Sequence, residues 1–126
     1  MRNKARLFLT IACVVILFDV AASFASRSLR FNYGNLIWAF WCLYLASGYF
    51  GCKYHDFRTG VMAGLIAGLS DSTIGWALSH AIGPYLPSRH PPLTLLLISV
   101  VVIIVTATGT FFGLIGALFG KIIKRQ

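Results

Sequence analysis

Residues 93–119 read LTLLLISVVVIIVTATGTFFGLIGALF and carry no charged side chain. A helix crosses the ~30 Å hydrocarbon core of a bilayer with about 20 apolar residues, so this stretch is long enough to span with tilt. Three more apolar stretches precede it: 7–26, interrupted only by Asp19, then 36–52, then 61–82. The second is at the short end of the spanning range. None alternates strictly between apolar and polar residues, as a barrel strand would. A bare backbone also finds no hydrogen-bond partner in lipid, so each stretch is expected to be a helix. The expected fold is therefore all-α, a single membrane domain over 1–126 with four transmembrane helices.

Composition agrees with that reading. The chain has 126 residues, 58% of them hydrophobic and 11% charged, with a mean hydropathy of +0.80. Soluble domains are about a quarter charged, so a soluble or disordered chain is excluded. The net charge of +8, from 11 Lys+Arg against 3 Asp+Glu, would suggest a phosphate backbone as partner on a soluble chain. Here the bases sit at the ends of apolar runs, so the expected partner is the lipid bilayer and not nucleic acid.

Arg2, Lys4, Arg6, Lys53, Arg58, Lys121, Lys124 and Arg125 fall on one side of a four-span topology. Only Arg27, Arg30 and Arg89 fall on the other. With loops this short, that asymmetry places both termini inside. Aromatic residues Phe31, Tyr33, Trp38 and Trp41 mark the outer entrance of the second helix, and Tyr49, Phe50, Tyr54 and Phe57 its inner exit. The outer loop 83–92 holds Pro84, Pro87, Pro91 and Pro92, a stiff extended segment across the mouth of the bundle. The expected location is the plasma membrane, which is the inner membrane if the source is a bacterium.

The first stretch has a rival reading. Arg2, Lys4 and Arg6 followed by the apolar run 7–18 and by Ser23-Phe24-Ala25 follow the grammar of a secretory signal. The uninterrupted apolar length to Ser26 favours a retained span.

The third stretch carries the most chemistry. Gly60, Gly64 and Gly68 recur every four residues, and Asp71, Gly75 and Ser79 continue the row. At ~100° per residue all six fall within an arc of about 100°. The fourth stretch has a matching row of Thr106, Gly109, Gly113, Gly116 and Gly120. Small residues at this spacing let helix backbones approach closely, so the two rows are expected to form one interface, within the chain or between copies.

Asp71 and Asp19 are the intramembrane acids. At ~1.5 Å per residue both lie about 15–18 Å deep, close to the midplane, with no Lys or Arg in the membrane to pair with. Charging both at once in a low dielectric is costly, so the pair is expected to hold a proton between them. Such a pair could exchange its proton for a cation. Alternatively the acids are polar glue, with Ser70, Ser72 and Thr73 flanking Asp71, and with Ser23 and Ser26 on the face of Asp19.

Cys13, Cys42 and Cys52 form no CxxC, and His55, His80 and His90 are too few to converge on a metal. No metal site, cofactor or catalytic motif is expected, so the chain is not read as an enzyme.

Four short helices, an acid in the first and glycines in the fourth resemble, in outline, the small multidrug-resistance transporters. That family has Glu where this chain has Asp19, the residues around Asp19 do not match, and no membership follows. Two functions are expected from the residues themselves. One is a small bundle acting through helix–helix contact, as an accessory or assembly subunit or as a homo-oligomer. The other is a proton- or cation-coupled carrier using Asp71 and Asp19, which needs a second copy because four helices hardly enclose a route. A holin-like pore former is a third class.

Overall fold

The structure is a computed structural model that describes residues 3–87 and 94–124, and every regular element among them is helical. Arg2, Arg89, His90, Pro91, Pro92, Leu93 and Arg125, which enter the charge, loop and boundary expectations, lie outside the described residues. Helix α1 is Lys4–Leu29, followed by a 3-10 turn at Tyr33–Leu36 and by α2, Ile37–Tyr54. Then come α3 (Phe57–Ser70), a π-helical stretch at Asp71–Gly75, α4 (Trp76–Ile82) and α5 (Leu95–Ile123).

Three helical stretches are long and apolar enough to cross a membrane: Lys4–Leu29, Phe57–Ile82 and Leu95–Ile123. Lys4–Leu29 runs past both ends of the apolar segment 7–26, Phe57–Ile82 past the start of 61–82, and Leu95–Ile123 past the end of 93–119. Polar caps decide where they begin: Asn3 accepts from the Ala5 N–H, Asp56 from the Thr59 N–H and Thr94 from the Leu97 N–H. Lysines and arginines with long apolar stems then continue the helix beyond its apolar stretch, as Lys4, Arg6 and Lys121 do here.

The third apolar segment is not one uniform helix. The Thr73 Oγ1 (2.6 Å) and Ser72 Oγ (3.2 Å) hydroxyls both donate to the Leu69 carbonyl, which a regular α-helix would give to the Thr73 N–H. The ladder widens there into a π-helical turn. The extra residue changes the phase of everything after it. Gly60, Gly64 and Gly68 therefore face α2 and α5, whereas Gly75 and Ser79 face α1. The single row expected from sequence is split between two neighbours.

Helices α2, α3 and α5 form the tight core, backbone against backbone. A Cβ added at Gly109 would stand 2.7 Å from Gly68 Cα, and one at Gly60 would stand 2.6 Å from the Gly48 carbonyl oxygen. Cβ atoms at Gly48 and Gly116 would land on the carbonyls of Gly113 and Leu45. The two expected rows thus meet within one chain, and α2 joins them through Gly48 and Gly51, a contribution the sequence reading did not include. Water is no driving force inside lipid, so such close packing is what dispersion needs to hold helices together.

Helix α1 takes no part in this glycine contact; it packs Ile11 and Val15 against Phe40, Tyr44, Ala63 and Ala67 and leans on α3, the π-helical turn and α4. Lys4 Nζ bridges to Asp56 at 2.8 Å, and Lys124 Nζ donates to the His55 carbonyl at 3.2 Å. The beginning of α1, the α2–α3 turn and the end of α5 therefore gather at one end of the bundle. At the opposite end Arg27 donates to the Ile82 carbonyl at 2.6 Å, and the Tyr33 N–H to the Tyr85 carbonyl at 3.2 Å.

Candidate functional site

Asp19 is brought inside because α1 turns its small, polar face inward: Asp19, Ala22, Ser23 and Ser26 are all buried, and Asp19 is only 1% exposed. Gly75 makes room for it. A Cβ at position 75 would lie 2.6 Å from Asp19 Oδ2, so the carboxyl rests directly on the backbone of the π-helical turn. The Tyr33 hydroxyl donates to Asp19 Oδ1, and the Ser79 hydroxyl also reaches this carboxyl. Ser79 shares a further hydrogen bond with Ser23, which ties α4 to α1.

Asp71 opens the π-helical turn and is half-buried. The Tyr44 hydroxyl, from the middle of α2, donates to Asp71 Oδ2. Two acids from different helices, each with a phenol donor, thus converge in one place. They line a cavity of ≈ 460 Å³ whose walls include Phe40, Trp41, Trp76 and Val105. Trp41 stacks on Phe112 of α5 at 5.0 Å, and Phe18 meets Phe40 edge-on at 5.2 Å, so the aromatic wall is itself braced.

The other sequence-predicted residues are placed less centrally. Ser72 is buried and reaches Thr106 of α5 at 3.4 Å, tying the π-helical turn to the core. Thr73 is exposed and spends its hydroxyl on its own helix, and Ser70 is half-buried on the last turn of α3. Gly64, Gly68, Gly109 and Gly113 lie in the α3–α5 contact, while Gly116 and Gly120 face α2. Among the described residues no group of three or more His, Cys, Asp or Glu side chains converges.

Tyr33 and Tyr44 are not among the site residues expected from sequence; Tyr33 falls there in the outer aromatic belt. A signal for Tyr44 was present. A phenol in the middle of an apolar run must find a partner when buried, and the chain has few polar groups at that depth.

Chemically, the arrangement can hold protons and receive a cation. A buried carboxylate is tolerated only with hydrogen bonds and compensating charge, and the phenols supply the first but not the second. No family model matches the chain, and neither does any curated protein or solved structure.

Proposed function

We propose that this chain is a plasma-membrane protein with four spans and both termini inside, coupling proton and cation movement at the Asp19–Asp71 pocket. The observation that carries the reading is the meeting of two carboxyls from separate helices in one cavity, each with its own tyrosine. With one proton on the pair the site has a single negative charge. An entering monovalent cation takes the place of that proton, which leaves, and both carboxylates then face the bound cation. The four-span topology is supported by the ends of the bundle, since Lys4, the His55–Asp56 turn and Lys124 lie together. An 18-residue α2 is about 27 Å long at ~1.5 Å per residue, enough to join the two sides of a bilayer nearly upright. Because so small a bundle does not enclose a full pathway, the carrier works as a homo-oligomer or beside another membrane protein.

The test is Asp71→Asn in reconstituted vesicles. A pH-sensitive dye inside reports proton movement while sodium, potassium or an organic ammonium ion is imposed as a gradient. Asn still accepts from Tyr44, so the fold is kept and only the exchangeable proton is lost. Proton flux coupled to one of these gradients in the wild type, and its loss in the variant, supports the proposal; equal flux in both overturns it.

A second reading is a bundle that acts only by contact with a second copy or another membrane protein. What favours it is the outer face of α5, where Ile103, Ile104, Phe111 and Leu118 are exposed in an apolar strip. That strip is untouched by Asp71→Asn, so a variant with normal assembly and normal cellular role selects this reading.

A further inference from the structure

A second and larger cavity, ≈ 1100 Å³, opens between α1 and α2 at the end of the bundle where α1 begins and α5 finishes. It shares no lining residue with the carboxyl pocket. It exists because α1 leans away from α2 and onto α3 and the π-helical turn. Along α1 it runs from Asn3 to Val15, about 18 Å at ~1.5 Å per residue, slightly more than the ~15 Å that one leaflet contributes to a ~30 Å hydrocarbon core. Leu7, Ile11, Val15, Leu43 and Phe50 make its walls apolar, and Arg6 and His55 stand at its mouth.

The mouth is unsatisfied. His55 Nε2 is shielded from water and has no hydrogen-bond partner among the described residues. The chain has only three side-chain carboxyls, and none is left for Arg6: Asp56 bridges to Lys4, and Asp19 and Asp71 are held by tyrosines. Lys4, Lys53, Arg58, Lys121 and Lys124 add to the positive field at this end. An occupant that complements the groove has an apolar body one leaflet long and an anionic head that accepts hydrogen bonds.

We propose that this groove is a binding site for an anionic phospholipid, with an acyl chain between α1 and α2 and the phosphate held by Arg6 and His55 Nε2. Arginine is suited to the role because its planar fork matches phosphate oxygens and stays charged. The unpartnered His55 Nε2 supplies the second bond. The lipid fills the space left between α1 and α2 at this end of the bundle, so it also braces the helix that carries Asp19.

The test uses the full chain, exchanged in detergent into equal parts of phosphatidylglycerol and phosphatidylcholine with matched acyl chains, with retained lipid read by native mass spectrometry. Wild type is expected to retain phosphatidylglycerol preferentially. Arg6→Gln, at an exposed position that does not threaten folding, should cut that preference about tenfold, the scale of one hydrogen bond to a charged group. Ala46→Phe, which fills the groove, should remove both lipids. Equal retention of the two lipids by wild type overturns the proposal. So does full displacement of phosphatidylglycerol by inorganic phosphate, which would make the site one for a free anion. Loss of a dimer in Ala46→Phe with lipid retention unchanged assigns the groove to a second copy and also overturns it. Asp71→Asn should leave lipid retention unchanged, so this outcome and the flux outcome are read separately.

Discussion

A methyl group added at Gly64 would lie 2.5 Å from Gly113 Cα and 2.6 Å from the Gly109 carbonyl oxygen. Both neighbours are backbone of α5 and cannot rotate away. Non-bonded carbons sit about 3.5–4.0 Å apart, so Gly64→Ala forces α3 and α5 to part locally by about 1 Å. A gap of that size forfeits a quarter to a half of the dispersion well. Taking about 40 atom pairs at ~0.15 kcal/mol each across the contact, the loss is about 1.5–3 kcal/mol. Alanine returns about 1 kcal/mol through its better helix propensity. The net expectation is a destabilisation of about 0.5–2 kcal/mol, overlapping the range for overpacking. The assay is reversible unfolding in detergent, with Gly34→Ala as the control. A Cβ at Gly34 meets only the side chain of Asn32, at 3.2 Å, and that change should stay within about 0.5 kcal/mol. If Gly64→Ala is as stable as wild type while Gly34→Ala behaves as expected, backbone contact between α3 and α5 at this point is refuted.

Two further outcomes follow from the end of the bundle where α1 begins and α5 finishes. Asp56 caps α3 through the Thr59 N–H (2.8 Å) and Thr59 Oγ1 (2.9 Å), so Asp56→Ala should cost about 1–2 kcal/mol and Asp56→Asn much less, because Asn caps equally well. The Lys4 ammonium, with the two Thr59 donors, holds the Asp56 carboxyl well below the usual carboxylate range. A depressed acid stabilises the fold fully above its unfolded value and loses that contribution as pH falls towards its folded value. The stability gap between wild type and Asp56→Asn should therefore be flat near neutrality and close only below about pH 4; a gap that changes between pH 5 and 8 contradicts it. Both partners of the bridge are about half exposed, so its own share is under about 1 kcal/mol. For topology, reporter tags on the two termini should be active in the same compartment, and opposite compartments would rule out an even number of spans.

Most of the helical framework was legible in the sequence because lipid imposes one simple demand: an apolar run long enough to satisfy its own backbone. The ends were less legible. The runs 7–26 and 93–119 correspond to helices that begin at Lys4 and finish at Ile123, since capping by Asn3 and snorkelling lysines are not part of an apolar count. The glycine rows were visible as spacing, but spacing does not say which neighbour a row meets, and it gave no notice of Gly48 and Gly51. The π-helical turn was hidden. It follows from Ser72 and Thr73 competing for one carbonyl, a choice many Ser–Thr pairs in helices do not make. Asp19 and Asp71 stood out because intramembrane acids are rare, whereas Tyr33 looked like an ordinary member of the outer aromatic belt and Tyr44 lay unmarked inside the second apolar run.

The π-helical turn makes one continuous stretch of chain answer to two masters. Before it, residues 57–70 are shaped by α2 and α5, with lighter support from α1; after it, residues 76–82 rest on α1 alone. In a lineage of such chains, changes at Gly64 or Gly68 would be matched by changes in α5, and changes at Ser79 by changes at Ser23. Deleting one residue between 71 and 75 would not merely shorten the segment. It would remove the extra residue that widens the ladder, so a regular α-helix would form through the turn while the positions downstream keep the face they now turn towards α1.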